Sequence, residues 1–239
     1  MFLSPSLKQK TTKVLIDQEQ INHQEQIKIL GITLSSDLKW EKHLINGKCN
    51  MLKSINSKTA MLRTMKKYLP IKPLAMVANN LINSTIQYAA ALWSTTKQTQ
   101  KDSIQKAQIK AARLVLNLKW QKGKLVHRQQ LLDKLNWMNV EQITEAALLN
   151  LTKKALTNNT SHALNNMFTI NYKRLPRGLN TITISHKGQL GRKNTNFSAK
   201  AVHSFNRLPP ELRDPQLTCI GFKKGLKTYL RTVRLLKRH

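Results

Sequence analysis

Between Thr99 and Leu118 the apolar residues Ile104, Ala107, Ala111, Leu114 and Leu118 recur at steps of three and four, while Lys106, Lys110 and Arg113 fall roughly opposite. That period specifies an amphipathic helix, which must pack one side and solvate the other. The same spacing runs through much of the chain. Trp40, Leu44, Met51, Leu52, Ile55, Met61, Leu62 and Met65 predict a helix or broken helix ending at Leu69-Pro70, since proline offers no amide hydrogen and clashes with the preceding turn. Pro73 suits the first turn of a further helix bearing Leu74, Val77, Ala78, Leu81, Ile82, Thr85 and Tyr88, with its asparagines on a polar face. Asn139 and Gln142 read as an N-cap and capping box ahead of Ile143, Ala147, Leu151 and Ala155. Phe222, Leu226, Tyr229, Leu230 and Val233 give a terminal helix, with Lys223, Lys224, Lys227, Arg231 and Arg234 on its remaining surface.

Strand signals are few. Two β-favouring runs, Lys13 to Ile16 and Ile27 to Leu34, predict a small N-terminal antiparallel element, and the change of register across Gly31 reads as a bulge or a close backbone approach. Residues 157 to 195, rich in Asn, Thr, Lys and Gly, predict an irregular connection in which only TITI at 181 to 184 resembles a strand. The expected fold class is therefore mainly α, a helical bundle with a small N-terminal antiparallel β hairpin and a C-terminal basic helix.

Charge narrows the partner. The 239 residues carry 41 Lys plus Arg against 11 Asp plus Glu, a net charge of +30. Residues 170 to 239 alone hold 16 basic and 2 acidic side chains. Self-repulsion of this size favours association with a polyanion, and its spread over helical segments rather than one tail suits phosphate neutralisation. Cys49 and Cys219 stand far apart with no clustered His, so neither a disulfide framework nor a zinc site is signalled, and an intracellular setting is expected, nucleus and cytoplasm both open. The most apolar region, Ala75 to Trp93, contains Asn79, Asn80, Asn83 and Gln87, which argues against a transmembrane segment.

The chemistry of an enzyme is missing from the pattern. Two-metal nucleotidyl transfer needs closely placed carboxylates, and no two of the eleven acids are adjacent. Asp17 with Glu19, and Asp37 with Glu41, have the spacing to meet, but such pairs are more often solvated acids or caps. No Ser or Cys has the setting of a nucleophile elbow, and HKGQLGRK lacks the ending of a phosphate loop. No catalytic residue, metal ligand or cofactor is assigned.

The stretch NFSAKAVHSFNRLPPELRD, followed by IGFKKGLKTYL, resembles the C-terminal signature of jockey-like non-LTR retrotransposon (LINE) reverse transcriptases. Phe197, Ala201, Asn206, Leu208, Pro209, Leu212, Arg213, Phe222, Lys223, Leu226 and Lys227 fit it, and Phe205 stands where the family usually has Trp. The resemblance continues upstream in order: KTTKVL with IKILGITLSSDLKWEKHL is similar to the last palm strands, the primer-grip turn and the start of the thumb helix, and LINSTIQYAAALW and IQKAQIKAARLVL to two following helices. It covers nearly all of residues 8 to 236, and the Tyr-x-Asp-Asp turn of such enzymes is absent from the chain.

The resemblance implies a palm-edge β element at 1–38, a helical thumb-like domain at 39–156 and a basic C-terminal region at 157–239 with an irregular linker and terminal helix. It implies a catalytically incompetent C-terminal segment of an RNA-directed DNA polymerase that binds RNA or an RNA/DNA hybrid, with the missing polymerase portion as a further partner. No cofactor is expected here, although the parent enzyme would use Mg. Ile29, Leu30 and Gly31 would form the turn that positions a primer 3′ end, or else an ordinary bulge; Lys106, Lys110 and Arg113 would contact backbone phosphates, or else form a solvated face. Lys223, Lys224 and Lys227 would reach along nucleic acid from the last helix. Trp93, Trp120 and Trp137 have the chemistry to stack on bases, but their apolar helical neighbours favour core packing. Two other readings stay open: a retroelement relic without activity, and an independent basic protein that binds RNA or an anionic membrane surface.

Overall fold

The computed structural model describes residues 14–16, 19–21, 24–37, 39–48, 50–118, 128–174, 180–186 and 197–236. The chain divides into two compact units, Met1–Ile86 with Thr96–Trp137, and Gln87–Thr95 with Met138–His239. The described residues are mainly helical with short antiparallel hairpins, as the periodicity predicts.

In the first unit β1 (Val14–Ile16) pairs with β2 (Glu19–Ile21), and β3 (Gln26–Ile29) pairs with β4 (Ile32–Ser35), so the two β-favouring runs lie in separate hairpins. At Gly31, where the sequence leaves a turn and a bulge open, the structure has a two-residue turn. Leu30 and Gly31 have φ of 48° and 80°, the left-handed conformation that such a connection needs at both central positions. The turn sets Ile29 opposite Ile32 and Ile27 opposite Leu34, which brings all four side chains to one face. The change of register across Gly31 is thus the mark of a hairpin.

A π-helical turn at Lys42–Asn46 follows and ends at Gly47, where a Cβ would collide with the Lys42 carbonyl oxygen. Asn50 then caps α1 (Met51–Met65): its Oδ1 accepts from the Lys53 N–H at 2.8 Å, and its Nδ2 donates to the carbonyls of Ile45 and Gly47. This explains why the helix predicted from Trp40 is broken. α1 buries Met51, Ile55, Thr59 and Leu62, one stripe at steps of four, four and three. α2 (Ile71–Ala78) begins after Pro70 with Pro73 in its first turn, and a second π-helical turn (Asn79–Asn83) and α3 (Ser84–Gln87) follow.

α4 (Gln98–Val115) packs against α1 and α2, burying Ile104, Ala107, Ala111 and Val115. The asparagine face predicted for the preceding segment has an inward member: buried Asn83 donates to Asn79 Oδ1 (2.9 Å) and accepts from Gln108 Nε2 (2.8 Å), a polar cross-link that fixes α4 in one register. α5 (Arg128–Lys134) packs on α4 and buries Leu131 and Leu132; Trp137, beyond it, is buried as well.

The second unit holds α6 (Val140–Leu156), α7 (His162–Asn165), β5 (Phe168–Arg174), β6 (Asn180–His186), α8 (Phe197–Asn206), a 3₁₀ turn at Pro210–Arg213 and α9 (Cys219–Leu236). Asn139 and Gln142 form the predicted capping box, and the Gln142 Nε2 also donates to the Leu230 carbonyl of α9 at 2.7 Å. The irregular connection expected across 157 to 195 contains a seven-residue hairpin, β5 with β6, paired from Phe168·His186 to Arg174·Asn180. Its period-2 signal is diluted by Asn, Thr and Lys on the exposed face. What stabilises it is burial: Phe168, Ile182 and Ile184 join Leu148, Leu149, Ala201, Phe205, Phe222 and Leu226 in one core.

The Leu-Pro-Pro corner is a fastening for this core. β6 has β5 on one side and side chains on the other. Asn206 Oδ1 accepts from the Ile184 N–H (2.9 Å), and its Nδ2 donates to the Ile184 carbonyl (2.8 Å), as a neighbouring strand would. The Arg213 guanidinium donates to the carbonyls of Ile182 (3.2 Å) and Leu208 (2.9 Å). Phe205 and Phe222 stack with centroids 6.5 Å apart, and Leu208 and Leu212 are buried on either side of the prolines. Most of the signature stretch therefore builds structure.

Candidate nucleic-acid interface

Cationic side chains gather on helix faces because the apolar stripe of each helix is consumed by its core. On α4, Lys106 and Lys110 are exposed and Arg113 is half-buried, spaced four and three residues apart on one face. At a rise of about 1.5 Å per residue the three charges span roughly 10 Å of helix. Asp102 is the carboxylate on this face, one turn N-terminal of Lys106, and it accepts from Gln98 Nε2 at 3.0 Å. At the other end the chain turns through Asn117 in the left-handed conformation (φ 55°), and Asn117 Oδ1 accepts from Lys66 Nζ at 2.6 Å. That bond brings an ammonium from the end of α1 to the C-terminal end of α4. Lys66 escapes a sequence reading because its partner lies 51 residues away; the only local hint is an Asn just beyond a helix end.

Ile29, Leu30 and Gly31 sit at the tip of the β3–β4 hairpin. Leu30 is 85% exposed and Ile29 48%. Beneath the hairpin the π-helical turn presents His43, whose Nδ1 accepts from the Thr33 N–H (3.4 Å). Its buried Nε2 has no hydrogen-bond partner, and burial pushes the imidazole pKa down, so the neutral ring acts as a wedge. Ser35 Oγ lies 2.5 Å from Asp37 Oδ1 and 2.8 Å from the Lys39 carbonyl. The Ser35 hydroxyl, with lesser help from the Lys39 amide and ammonium and against some desolvation, holds the Asp37 carboxyl below its usual range.

In the second unit α9 carries no carboxylate; Lys223, Lys224 and Lys227 are exposed on it while Phe222, Leu226 and Leu230 are buried. The structure thus groups Lys106, Lys110 and Arg113 on one helix face of the first unit and Lys223, Lys224 and Lys227 on one helix face of the second. Trp93 and Trp137 are buried, as core packing requires, and Trp120 lies outside the described residues.

A contrasting cation is Lys153, 2% exposed on α6, whose Nζ donates to the Asp214 carbonyl (3.0 Å) and lies 5.9 Å from the Phe222 ring centroid. Burial pushes its pKa down, partly offset by Cys219 and Asp214. It is a buried packing residue of the second unit's core.

Among the described residues no group of three or more His, Cys, Asp or Glu side chains is gathered to hold a metal ion. No helix among them is long and apolar enough to cross a membrane. The arrangement can neutralise phosphates; base-edge readout has no assigned donor. Neither family models, curated proteins nor solved structures give a match to the chain.

Proposed function

We propose that the chain is a catalytically incompetent, polymerase-derived segment that binds the sugar-phosphate backbone of RNA or an RNA/DNA hybrid. The observation that carries this reading is the pair of cationic helix faces, exposed Lys106 and Lys110 with half-buried Arg113 on α4 and exposed Lys223, Lys224 and Lys227 on α9, in a chain of net charge +30. With 41 basic and 11 acidic side chains, internal pairing one to one leaves thirty cations without a carboxylate. Phosphates relieve that repulsion and release counterions on binding. The ordered likeness to LINE-type reverse transcriptases from KTTKVL to FKKGLKTYL supports a polymerase origin, with the chemistry residing in a portion that carries the Tyr-x-Asp-Asp turn.

The test is fluorescence anisotropy of the full chain against a labelled RNA/DNA hybrid, a single-stranded RNA and anionic lipid vesicles at equal salt. Preference for either nucleic acid over vesicles, weakened by Lys106→Gln, Lys110→Gln and Arg113→Gln together, is the expected result. Equal affinity for vesicles, unaffected by these changes, would favour a membrane-surface protein instead.

A further inference from the structure

The polar face of the β3–β4 hairpin is its inner one. Its polar residue Ser35 is buried and borders a cleft of about 380 Å³ lined by Ser35, Asp37, Lys39, Glu41, Lys42 and Lys48 among others, while on the apolar face Ile27 and Ile29 are exposed and Ile32 and Leu34 half-buried. β4 packs on the π-helical turn, but every residue of β3 is exposed, with Ile27 at 39%.

The outer edge of β3 is equally open. In a two-residue hairpin the pair flanking the turn, Ile29·Ile32, exchanges both hydrogen bonds, and bonded pairs then alternate. Ser36 N–H donating to the Glu25 carbonyl at 2.9 Å keeps that alternation. The N–H and C=O groups of Gln26 and Lys28 consequently point away from β4, and the sheet has two strands, so among the described residues no strand lies beyond β3. A short edge strand with unpaired backbone groups and isoleucines on one face is a template for strand addition.

We propose that this edge is the docking site of an extended segment from an acidic partner protein, in which apolar residues alternate with carboxylates. The pleat dictates the alternation: apolar partner side chains would extend the Ile27/Ile29 face, and those between them would lie beside Lys28 on the face that borders the cleft. In the cleft Lys39 pairs with Asp37 (3.2 Å) and Lys42 with Glu25 (3.7 Å), so the charge that selects carboxylates beside β3 is that of Lys28, and a second copy of a chain that itself carries +30 is disfavoured. Lys28 acts twice, through its outward N–H and through its ammonium.

The full chain, isotope-labelled, is titrated with a capped seven-residue peptide of alternating valine and glutamate, with a valine–lysine peptide and a ten-residue oligouridine as comparisons. Saturable shifts are expected at the amides of Gln26 and Lys28, with smaller ones at Ile27 and Ile29, whose N–H groups are already bonded. Lys28→Pro deletes the outward donor without touching a ladder bond and is expected to weaken binding about tenfold. Protection of the Ile27 and Ile29 amides reports whether that variant keeps the hairpin. Lys28→Glu keeps every backbone bond and is expected to reverse the preference between the two peptides. The proposal is overturned if the valine–glutamate peptide fails to saturate by millimolar concentration, or if the valine–lysine peptide binds equally well. It is also overturned if oligouridine shifts the same amides in preference, if these amides are already protected in the free chain, or if they shift with the chain's own concentration.

Discussion

Asn206 closes the outer edge of β6, and its replacement measures what the signature stretch contributes to folding. Its carboxamide makes two hydrogen bonds to one residue, accepting from the Ile184 N–H and donating to the Ile184 carbonyl. Each is worth roughly 1 kcal/mol net, and truncation leaves both backbone groups of a buried residue without partners, at about 1–3 kcal/mol each if water cannot reach them. Ile184 is buried, but Asn206 is only half-buried, so partial water access is expected and the lower end applies. Asn206→Ala should therefore destabilise the second unit by about 2–3 kcal/mol. Hydrogen exchange by NMR is the apt assay because it reads the bond itself: the Ile184 amide should lose protection well beyond that of amides in α1 and α4 of the other unit. Asn206→Asp keeps the acceptor but sets a carboxylate against the Ile184 carbonyl, and it should not rescue. An Ile184 amide as protected in Asn206→Ala as in the parent would refute the idea that this side chain stands in for a third strand.

Lys153→Met should raise stability near neutral pH, because an apolar chain of similar length removes the cost of burying an ammonium. With the folded pKa lowered, the unfolded chain binds the extra proton between that value and about 10.5, so the parent gains stability as pH rises through this window and the advantage of Lys153→Met should shrink there; thermal unfolding of both proteins from neutral to alkaline pH checks this, and a constant difference would contradict it. Gly47→Ala should destabilise the first unit by about 1–3 kcal/mol, because its Cβ would collide with the backbone oxygen of Lys42. Urea unfolding followed at residues of α1 would show it, and an unchanged midpoint would count against the close approach.

Helices were legible wherever one stripe of apolar residues served one core, as in α4 and α9, and the Asn139–Gln142 capping box was legible because its chemistry is local. The hairpin at 168–186 was not, since Thr, Asn and Lys fill its exposed face and its stability comes from α6, α8 and α9, distant in sequence. Gly31 was visible as a special position, but turn and bulge both call for glycine; pairing of Ile29 with Ile32 is what separates them. In the candidate interface the lysines of α4 and α9 follow from periodicity alone. Lys66 at the end of α4 and the burial of Lys153 depend on tertiary contacts that single-segment patterns do not carry.

The most direct test of backbone binding is its salt dependence. The observed association constant for an RNA/DNA hybrid should fall linearly with log salt, and the slope should lessen by about 0.9 for each cation lost from a phosphate contact, thus by roughly 2.7 for the triple change Lys106→Gln, Lys110→Gln and Arg113→Gln. The account predicts that drop, and a comparable one for Lys223→Gln, Lys224→Gln and Lys227→Gln. Slopes unchanged from the parent in both variants would mean that these faces are merely solvated and that the chain meets nucleic acid, if at all, somewhere else.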